Sequence, residues 1–210
     1  FSTTHTKMNN NDHTTENLLQ KVFVTGIGMI SPVGLSRGET WDGLVAGKSG
    51  IGTIESFDPR GLETTIAAEV KKFDPTEYID RKSARRMDRF VQFATVAALE
   101  AMNHSQLKIT SKNAERVSVI ISSGIGGIIT LEQQIGVLRE KGAARVSPFL
   151  VPMMLPDMAS GQVSMLLGAK GPNFATVSAC SSGADALGVA FEMVRRGDVD
   201  VAITGGAEAA

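Results

Sequence analysis

The one cysteine in this sequence, Cys180, stands where an apolar run typical of a buried strand gives way to a helix. The run covers Asn173–Ser178, and small residues surround the cysteine, with Ala179 before it and Ser181–Gly183 after it. A side chain at a sharp strand-to-helix turn points outward, and small neighbours let a substrate approach closely. Unpaired N–H groups at the start of a helix favour a nucleophilic thiolate and can also stabilise a developing oxyanion. The pattern therefore predicts a cysteine nucleophile, and the alternative is a buried structural thiol.

Several other segments have sequence patterns typical of the strands and helices that would position this turn. Short β-branched runs, most of them closed by glycine, predict buried strands over Val22–Thr25, Val117–Ser122, Asn173–Ser178 and Val199–Thr204. Apolar residues at helical spacing predict helices over Lys82–Met102 and Asp185–Arg196. Buried strands that alternate with helices predict an α/β fold with a mixed, largely parallel sheet.

A second candidate site is a cluster of cations at the start of the first predicted helix. Residues three and four apart share a helix face, so Lys82, Arg85, Arg86 and Arg89 predict one basic surface next to Arg81. This surface either faces only solvent or binds an acidic partner. Nucleic acid is the rival partner, but the net charge of −1 and the presence of one Trp and one Tyr argue against it.

Composition excludes several other classes of protein. One cysteine cannot form an intramolecular disulfide, and the histidines at positions 5, 13 and 104 lack the spacing of a metal site. No uncharged apolar run approaches the ~18 residues of a membrane-spanning helix. The pairs Gly26-x-Gly28 and Gly124-x-Gly126 lack the third glycine of a dinucleotide site, and Asp42 stands where a phosphate loop ending at Lys48 needs glycine. These glycines therefore predict turns and close backbone approaches.

The first twenty residues differ from the rest of the chain. The segment from Phe1 to Asn11 is rich in Ser, Thr and Asn, has Lys7 as its one charge, and shows no apolar period. We therefore predict a disordered leader over 1–20 and a folded domain over 21–210. The alternative is the remnant of a transit peptide, which would place the protein in a mitochondrial matrix or plastid; otherwise we expect an intracellular, cytoplasmic location.

Five segments carry recognisable motifs, in this order along the chain: Val22–Gly34, Ser123–Gly127, Ser147–Phe149, Thr176–Gly183 and Thr204–Glu208. Together they resemble the β-ketoacyl-acyl-carrier-protein synthases, and in particular the elongating type II enzymes. The resemblance implies a thiolase-like fold, in which two similar α/β halves pack as a layered αβαβα sandwich. Residues 21–210 would supply the first half, incomplete at its C-terminal end.

The same resemblance implies the reaction of a 3-oxoacyl-acyl-carrier-protein synthase in fatty acid biosynthesis. Cys180 would take an acyl chain from acyl carrier protein as a thioester, and its N–H would form part of an oxyanion hole. Malonyl-carrier protein would then lose carbon dioxide, and its carbanion would attack the thioester. Neither a metal nor a cofactor takes part. A thiolate suits these steps because it is nucleophilic near neutral pH and leaves readily.

Further site residues are implied by position. Ile125 matches a residue that lines the family's acyl pocket, and Phe149 and Leu150 match the loop that reaches the partner subunit's pocket in its homodimers. Ordinary core packing is the alternative for all three. The carrier-docking positions of the family coincide with Lys82, Arg85 and Arg86.

The histidines that assist decarboxylation in the family stand in HGT-type and GH-type motifs, with a lysine nearby. None of His5, His13 and His104 stands in such a motif, so we expect residues 1–210 to be a fragment that is inactive alone. A ketosynthase domain of a multidomain polyketide or fatty acid synthase is the main alternative. A non-catalytic, chain-length-controlling subunit would lack Cys180, and the opening and Ser147–Phe149 segments disfavour a thiolase or an initiating synthase.

Overall fold

A computed structural model describes residues 20–210 of the chain. The predicted leader lies almost wholly outside these residues, so the leader and its transit-peptide alternative stay predictions. Helices dominate the described part, and none of them is long and apolar enough to cross a bilayer. The helices are α1 (Arg37–Val45), α2 (Arg81–Ala84), α3 (Arg89–Ser105), α4 (Ile128–Lys141), α5 (Leu150–Met154), α6 (Met158–Leu167) and α7 (Ser182–Arg195).

Four strands form two small sheets within residues 20–210. An antiparallel pair joins β1 (Gly52–Thr53) to β2 (Ile66–Ala67), and a parallel pair joins β3 (Val117–Ser122) to β4 (Val201–Gly206). The prediction for β3 is confirmed, and β4 begins and ends two residues later than predicted. The parallel pairing of β3 with β4 agrees with the expected, largely parallel sheet.

Helices cover both faces of the β3–β4 pair. Every residue of β3 is buried, and successive side chains of a strand point to opposite faces. Its odd-numbered valines and isoleucine join a cluster with Phe90 of α3 and Val163 of α6. On the opposite face, Ile120 packs with Ala186 and Ala190 of α7. The arrangement of helix, sheet and helix confirms the α/β fold class.

The strand predicted over Asn173–Ser178 is wrong as a regular strand. The segment runs beside β3 and pairs through one parallel bridge, between Asn173 and Val119. Farther along, the N–H of Thr176 donates to the Ser122 hydroxyl at 2.9 Å rather than to a backbone carbonyl. A side-chain acceptor thus replaces the ladder, and the segment ends directly before Cys180.

The strand predicted over Val22–Thr25 is also wrong, because the structure pairs this extended segment with no other strand in residues 20–210. A groove of about 690 Å³ separates it from β4. The next residues dock on α3 instead: a Cβ at Gly28 would lie 1.8 Å from the Ala97 carbonyl oxygen, and the N–H of Met29 donates to Glu100 at 2.8 Å. The Gly26-x-Gly28 pair is therefore a close backbone approach, as predicted.

The single helix predicted over Lys82–Met102 is two helices separated by a turn. Asp88 is buried and its carboxylate caps the start of α3. The Gln92 side-chain amide donates to the carbonyls of Ala84 at 3.0 Å and Met87 at 3.2 Å, which satisfies the groups that the break exposes. The apolar period of α3 is as expected, but a period does not reveal this capped turn.

Candidate active site

Cys180 lies in a short 3₁₀ turn, Ala179–Ser181, between the extended segment and α7. Its side chain is exposed, so the alternative of a buried structural thiol does not hold in residues 20–210. Helix α7 begins two residues later, at Ser182, and the cysteine therefore precedes the helix instead of lying in its first turn. The structure thus presents the sulfur at the surface.

The backbone next to the cysteine is strained. Ala179 has a φ of +53°, a left-handed conformation that costs a residue with a side chain about 1–3 kcal/mol. Ser182 holds this turn in place from its buried position: its hydroxyl donates to the Ala179 carbonyl at 2.7 Å and accepts the N–H of Ser178 at 2.9 Å. Strain that neighbours hold in place is typical of a functional turn.

The backbone N–H of Cys180 has no hydrogen-bond acceptor among residues 20–210. It lies at the approach to α7, whose N-terminal dipole favours negative charge. An unpaired N–H in this position is a suitable donor to an oxyanion formed on the cysteine. The Cys180 N–H is therefore free to donate to an oxyanion, as an oxyanion-hole role would require.

A loop carrying Ile125 lies directly against this turn. A Cβ at Gly124 would lie 3.1 Å from the carbonyl oxygen of Ala179, so a side chain there would require the turn to shift by a few tenths of an ångström. Ile125 itself is 53% exposed and therefore does not pack in the core of the described residues. The structure thus brings the predicted nucleophile and the predicted pocket residue to neighbouring backbone segments.

Glu208 holds this loop in place by hydrogen bonds. The sequence analysis did not predict this role. Its Oε2 accepts the N–H groups of Gly124 at 2.8 Å and Ile125 at 3.2 Å, and its Oε1 accepts the Ser123 hydroxyl at 3.0 Å. The signal available in the sequence was an acidic residue two positions after a strand that ends in two glycines. Glu208 lies two residues after β4, so it couples the loop to the central sheet.

Phe149 and Leu150 lie where α5 begins, and both are half-buried. The helix that they start packs on the Ile125 loop: the N–H of Gly127 donates to the Met154 carbonyl at 2.9 Å. A Cβ at Gly126 would lie 2.4 Å from the same oxygen. The two predicted pocket residues therefore belong to an element in close contact with the loop that carries Ile125.

The basic residues do not form one surface as predicted. Lys82, Arg85 and Arg86 are all exposed and form no ion pair with any residue of 20–210. Arg89 turns away from them, with its guanidinium 4.8 Å from the centre of the Phe93 ring. The expectation of a four-residue face fails because the break before α3 rotates Arg89 out of it. We call Lys82, Arg85 and Arg86, the three residues that the family resemblance implies for carrier docking, the docking patch.

Asp80 fixes the short helix that carries this patch. Its carboxylate accepts the N–H groups of Lys82 and Ser83, both at 3.0 Å. Hydrogen bonds from Ser83 hold the pKa of the Asp80 carboxyl below its usual range, so this cap stays charged at neutral pH. The stability that the cap contributes is present above the ordinary pKa of Asp and is lost as the pH falls through the lowered value.

His104 is occupied by a structural contact. Its Nδ1 lies 3.0 Å from the N–H of Ile27, and its Nε2 lies 3.2 Å from the Arg37 guanidinium. His5 and His13 lie outside the described residues. Among residues 20–210, no three His, Cys, Asp or Glu side chains come together as a metal site.

Comparison with known proteins shows which family this chain resembles. The family model described as "Beta-ketoacyl synthase, N-terminal domain" matches residues 19–210. The chain is 50% identical over 190 residues to "3-oxoacyl-[acyl-carrier-protein] synthase 2" of Staphylococcus aureus (strain COL) and 47% identical over 191 residues to the protein of the same name from Synechocystis sp.. These alignments cover 90% and 91% of this chain and 46% of each relative, so the chain spans about half their length.

Solved ketosynthase structures share the fold. The ishigamide ketosynthase/chain length factor superposes with a TM-score of 0.77 at 29% identity, covering 89% of this chain and 47% of that one. A β-ketoacyl synthase from Burkholderia phymatum gives 0.73 at 27%, covering 84% and 44%. The thiolase-like fold is thereby confirmed. The matched domain, the identity to the two synthases and the shared fold agree: this chain belongs to the β-ketoacyl synthase family.

Proposed function

We propose that the whole protein is a 3-oxoacyl-acyl-carrier-protein synthase of fatty acid biosynthesis, with Cys180 as its nucleophile. The observation that carries the proposal is the exposed Cys180 on a strained turn, beside a loop that Glu208 fastens. The names of the relatives support the same reaction. These relatives are about twice as long as this chain, so the proposal concerns the whole protein.

The first half-reaction follows from the position of Cys180. Its thiolate attacks the carbonyl carbon of an acyl thioester on the carrier, and the oxyanion that forms accepts the Cys180 N–H. The new carbon–sulfur bond remains as the bond to the carrier sulfur breaks, and the carrier sulfur leaves as a thiolate that takes up the proton Cys180 gave up. Because one thioester replaces another, the step is close to balanced in energy and readily reversible.

The second half-reaction extends the chain. Malonyl-carrier protein loses carbon dioxide, and the electron pair of the broken bond attacks the acyl carbonyl on Cys180. The carbon–sulfur bond then breaks, the thiolate of Cys180 is released, and a 3-oxoacyl-carrier product forms. We assign assistance of the decarboxylation to residues outside 1–210, because none of the three histidines of the sequence stands in the family's HGT-type or GH-type motif and His104 is held by Ile27 and Arg37.

We assign Ile125, Phe149 and Leu150 to the acyl pocket. Contacts of Gly126 and Gly127 with the end of α5 support this assignment, since they join the loop that carries Ile125 to the helix that begins with Phe149 and Leu150. We further propose that the whole protein forms a homodimer in which the loop of Phe149 and Leu150 reaches the partner's pocket.

We propose that the docking patch binds acyl carrier protein. The patch presents three cations without carboxylate partners in residues 20–210, and an acidic carrier would supply such partners. Exposed charges guide an encounter and are screened by salt, whereas the chemistry takes place at Cys180.

We expect the double variant Lys82→Glu/Arg85→Glu to weaken carrier affinity about tenfold at low ionic strength, because two attractions become repulsions. The loss should shrink as salt is added, and it should be much smaller when the acyl donor is a small thioester. The matched control is Lys108→Glu/Lys112→Glu, which makes the same charge change at two exposed lysines of another surface. Equal losses with carrier-bound and small donors would show that the patch supports folding instead of docking.

The function is tested by incubating the whole protein with acyl-carrier and malonyl-carrier protein and measuring carbon dioxide and the 3-oxoacyl product. We expect both products from the whole protein and neither from residues 1–210 alone. Absence of product from the whole protein would refute the proposed function. Product from residues 1–210 alone would refute the assignment of decarboxylation to residues outside them.

A ketosynthase domain of a larger polyketide or fatty acid synthase is the second candidate, and the similarity to solved ketosynthase structures also fits it. The reading frame that encodes the whole protein distinguishes the two. Adjoining transferase or carrier domains would establish the second candidate, and their absence from the frame would establish the free-standing enzyme.

A further inference from the structure

We propose that Arg86 is a positioning residue for the acyl pocket and contributes to the choice of acyl chain length, separately from any contact with the carrier. The inference rests on the proposed function, because it concerns the same acyl pocket. It assigns to one member of the docking patch a role that Lys82 and Arg85 do not share.

The observation is a stacking contact between Arg86 and Phe149. The guanidinium carbon of Arg86 lies 4.4 Å from the centre of the Phe149 ring, well within the range of a cation–π interaction. Arg86 is exposed and Phe149 is half-buried, so the guanidinium covers an aromatic face that would otherwise meet solvent. Lys82 and Arg85 make no such contact within residues 20–210.

The backbone beneath Arg86 is firmly held. The N–H of Arg86 donates to the Ser83 carbonyl at 2.9 Å, and the Gln92 amide bridges the carbonyls of Ala84 and Met87 on either side of it. The buried carboxylate of Asp88 then caps α3. Arg86 therefore projects from a fixed turn, and its stacking fixes the position of Phe149 relative to α3.

A continuous packed path leads from Phe149 to the Ile125 loop. The carbonyl of Phe149 accepts the N–H of Met153 at 2.9 Å within the short helix α5. The end of α5 then presses on two glycines: a Cβ at Gly127 would lie 2.2 Å from the Met153 carbonyl oxygen. Because a packed contact of this kind leaves no free space, a shift of Phe149 moves the loop that carries Ile125.

A groove beside the contact leaves Phe149 room to move when the stacking is lost. The groove has a volume of about 380 Å³. Its walls are Ser83, Arg86, Phe149, Pro152, Met158, Gln162 and Met165. Without the guanidinium, the ring can turn into this space, and α5 is then less firmly held against the Ile125 loop. A looser pocket wall discriminates less between acyl chains of different length.

The test measures selectivity with donors that have no carrier, so that docking plays no part. Transfer to the whole protein is measured with the hexanoyl and dodecanoyl thioesters of N-acetylcysteamine. We expect Arg86→Gln to move the ratio of kcat/KM for the two donors about two- to fivefold towards one, the size of an exposed cation–π contact. Arg81→Gln removes the same charge from an exposed arginine that stacks on no aromatic ring in the described part of the chain, and we expect it to leave the ratio unchanged.

A second pair of variants tests the route of the effect. If Arg86 acts through Phe149, then Arg86→Gln should not change the ratio further in a Phe149→Leu background. An equal loss with both donors would show a role in folding alone and would overturn the proposal, as would an unchanged ratio. If the unsubstituted protein forms no product from acyl-carrier and malonyl-carrier protein, the proposed function itself fails; if it forms product and the ratio of the small donors stays fixed in Arg86→Gln, only the role of Arg86 fails.

Discussion

Replacing Cys180 with serine in the whole protein should lower acyl transfer from the carrier by at least about 10³-fold, the scale on which enzymes lose activity without their nucleophile. Serine keeps the size of the side chain and the turn, but its hydroxyl is not ionised near neutral pH. The measurement is the rate at which acyl groups leave acyl-carrier protein. Thermal unfolding of the variant should match that of the unsubstituted protein, because the exposed sulfur contributes no packing in residues 20–210.

The same position should be unusually reactive towards electrophiles. At pH 7, iodoacetamide should alkylate Cys180 faster than it alkylates a free cysteine in solution, because the sulfur is exposed and the N-terminal dipole of α7 favours negative charge close to it. Peptide mapping identifies the alkylated residue even if the whole protein contains further cysteines. An alkylation rate equal to that of free cysteine, together with a fully active Cys180→Ser variant, would contradict the assignment.

After Cys180→Ser, we expect Glu208→Gln to cause the largest loss of acyl transfer among the variants proposed. The carboxylate accepts three hydrogen bonds from the Ser123–Ile125 loop. In glutamine an NH₂ group replaces one of the two carboxylate oxygens. That group cannot accept a hydrogen bond, so at least one of the three bonds is lost and the NH₂ group faces another donor. A loss of about 2 kcal/mol is usual for a charged acceptor, and we expect acyl transfer to fall about 30-fold with carrier-bound and small donors alike.

Glu140→Gln is the matched control for this prediction. Glu140 is exposed on α4, and its carboxylate makes no hydrogen bond or ion pair with any residue of 20–210, so removal of its charge should change neither activity nor stability. The comparison is made by acyl-transfer rate and by thermal unfolding of both variants. A Glu208→Gln protein as active and as stable as the control would mean that the loop does not depend on this carboxylate.

The parts of the fold that sequence patterns predicted best are those whose burial is complete. All six residues of β3 are buried, and α3 buries most of one broad face, so the apolar run and the apolar period of these elements matched the structure. The first predicted strand has an equally apolar run, but Phe23 is 75% exposed. Pairing depends on a neighbouring strand, and no local pattern reveals whether that neighbour is present.

The break before α3 could not be predicted from periodicity because side chains distant in sequence stabilise it. The buried Asp88 caps α3 and also accepts the N–H and the hydroxyl of Thr130, in the first turn of α4. The aspartate lies within a continuous helical pattern, and its partner is forty-two residues away. The same limit applies to Glu208 and its loop, since their contacts join segments more than eighty residues apart.

The sequence predicted the position of Cys180 better than it predicted the basic face. Cys180 was predicted from local features, namely the small residues and the change from strand to helix, and the structure places it on an exposed turn as expected. The basic face depended on an uninterrupted helix, and it therefore lost Arg89 when the helix proved to be broken. The contact between Arg86 and Phe149 joins two elements that no sequence pattern relates.

The most direct test of the central claim is the mass of the protein after acyl transfer. The whole protein is mixed with acyl-carrier protein in the absence of malonyl-carrier protein, so that condensation cannot consume the intermediate. Intact-protein mass spectrometry should show one added acyl group, peptide mapping should place it on Cys180, and hydroxylamine should remove it as expected for a thioester. An acyl group on another residue, or no added mass although the carrier loses its acyl group, would contradict the account.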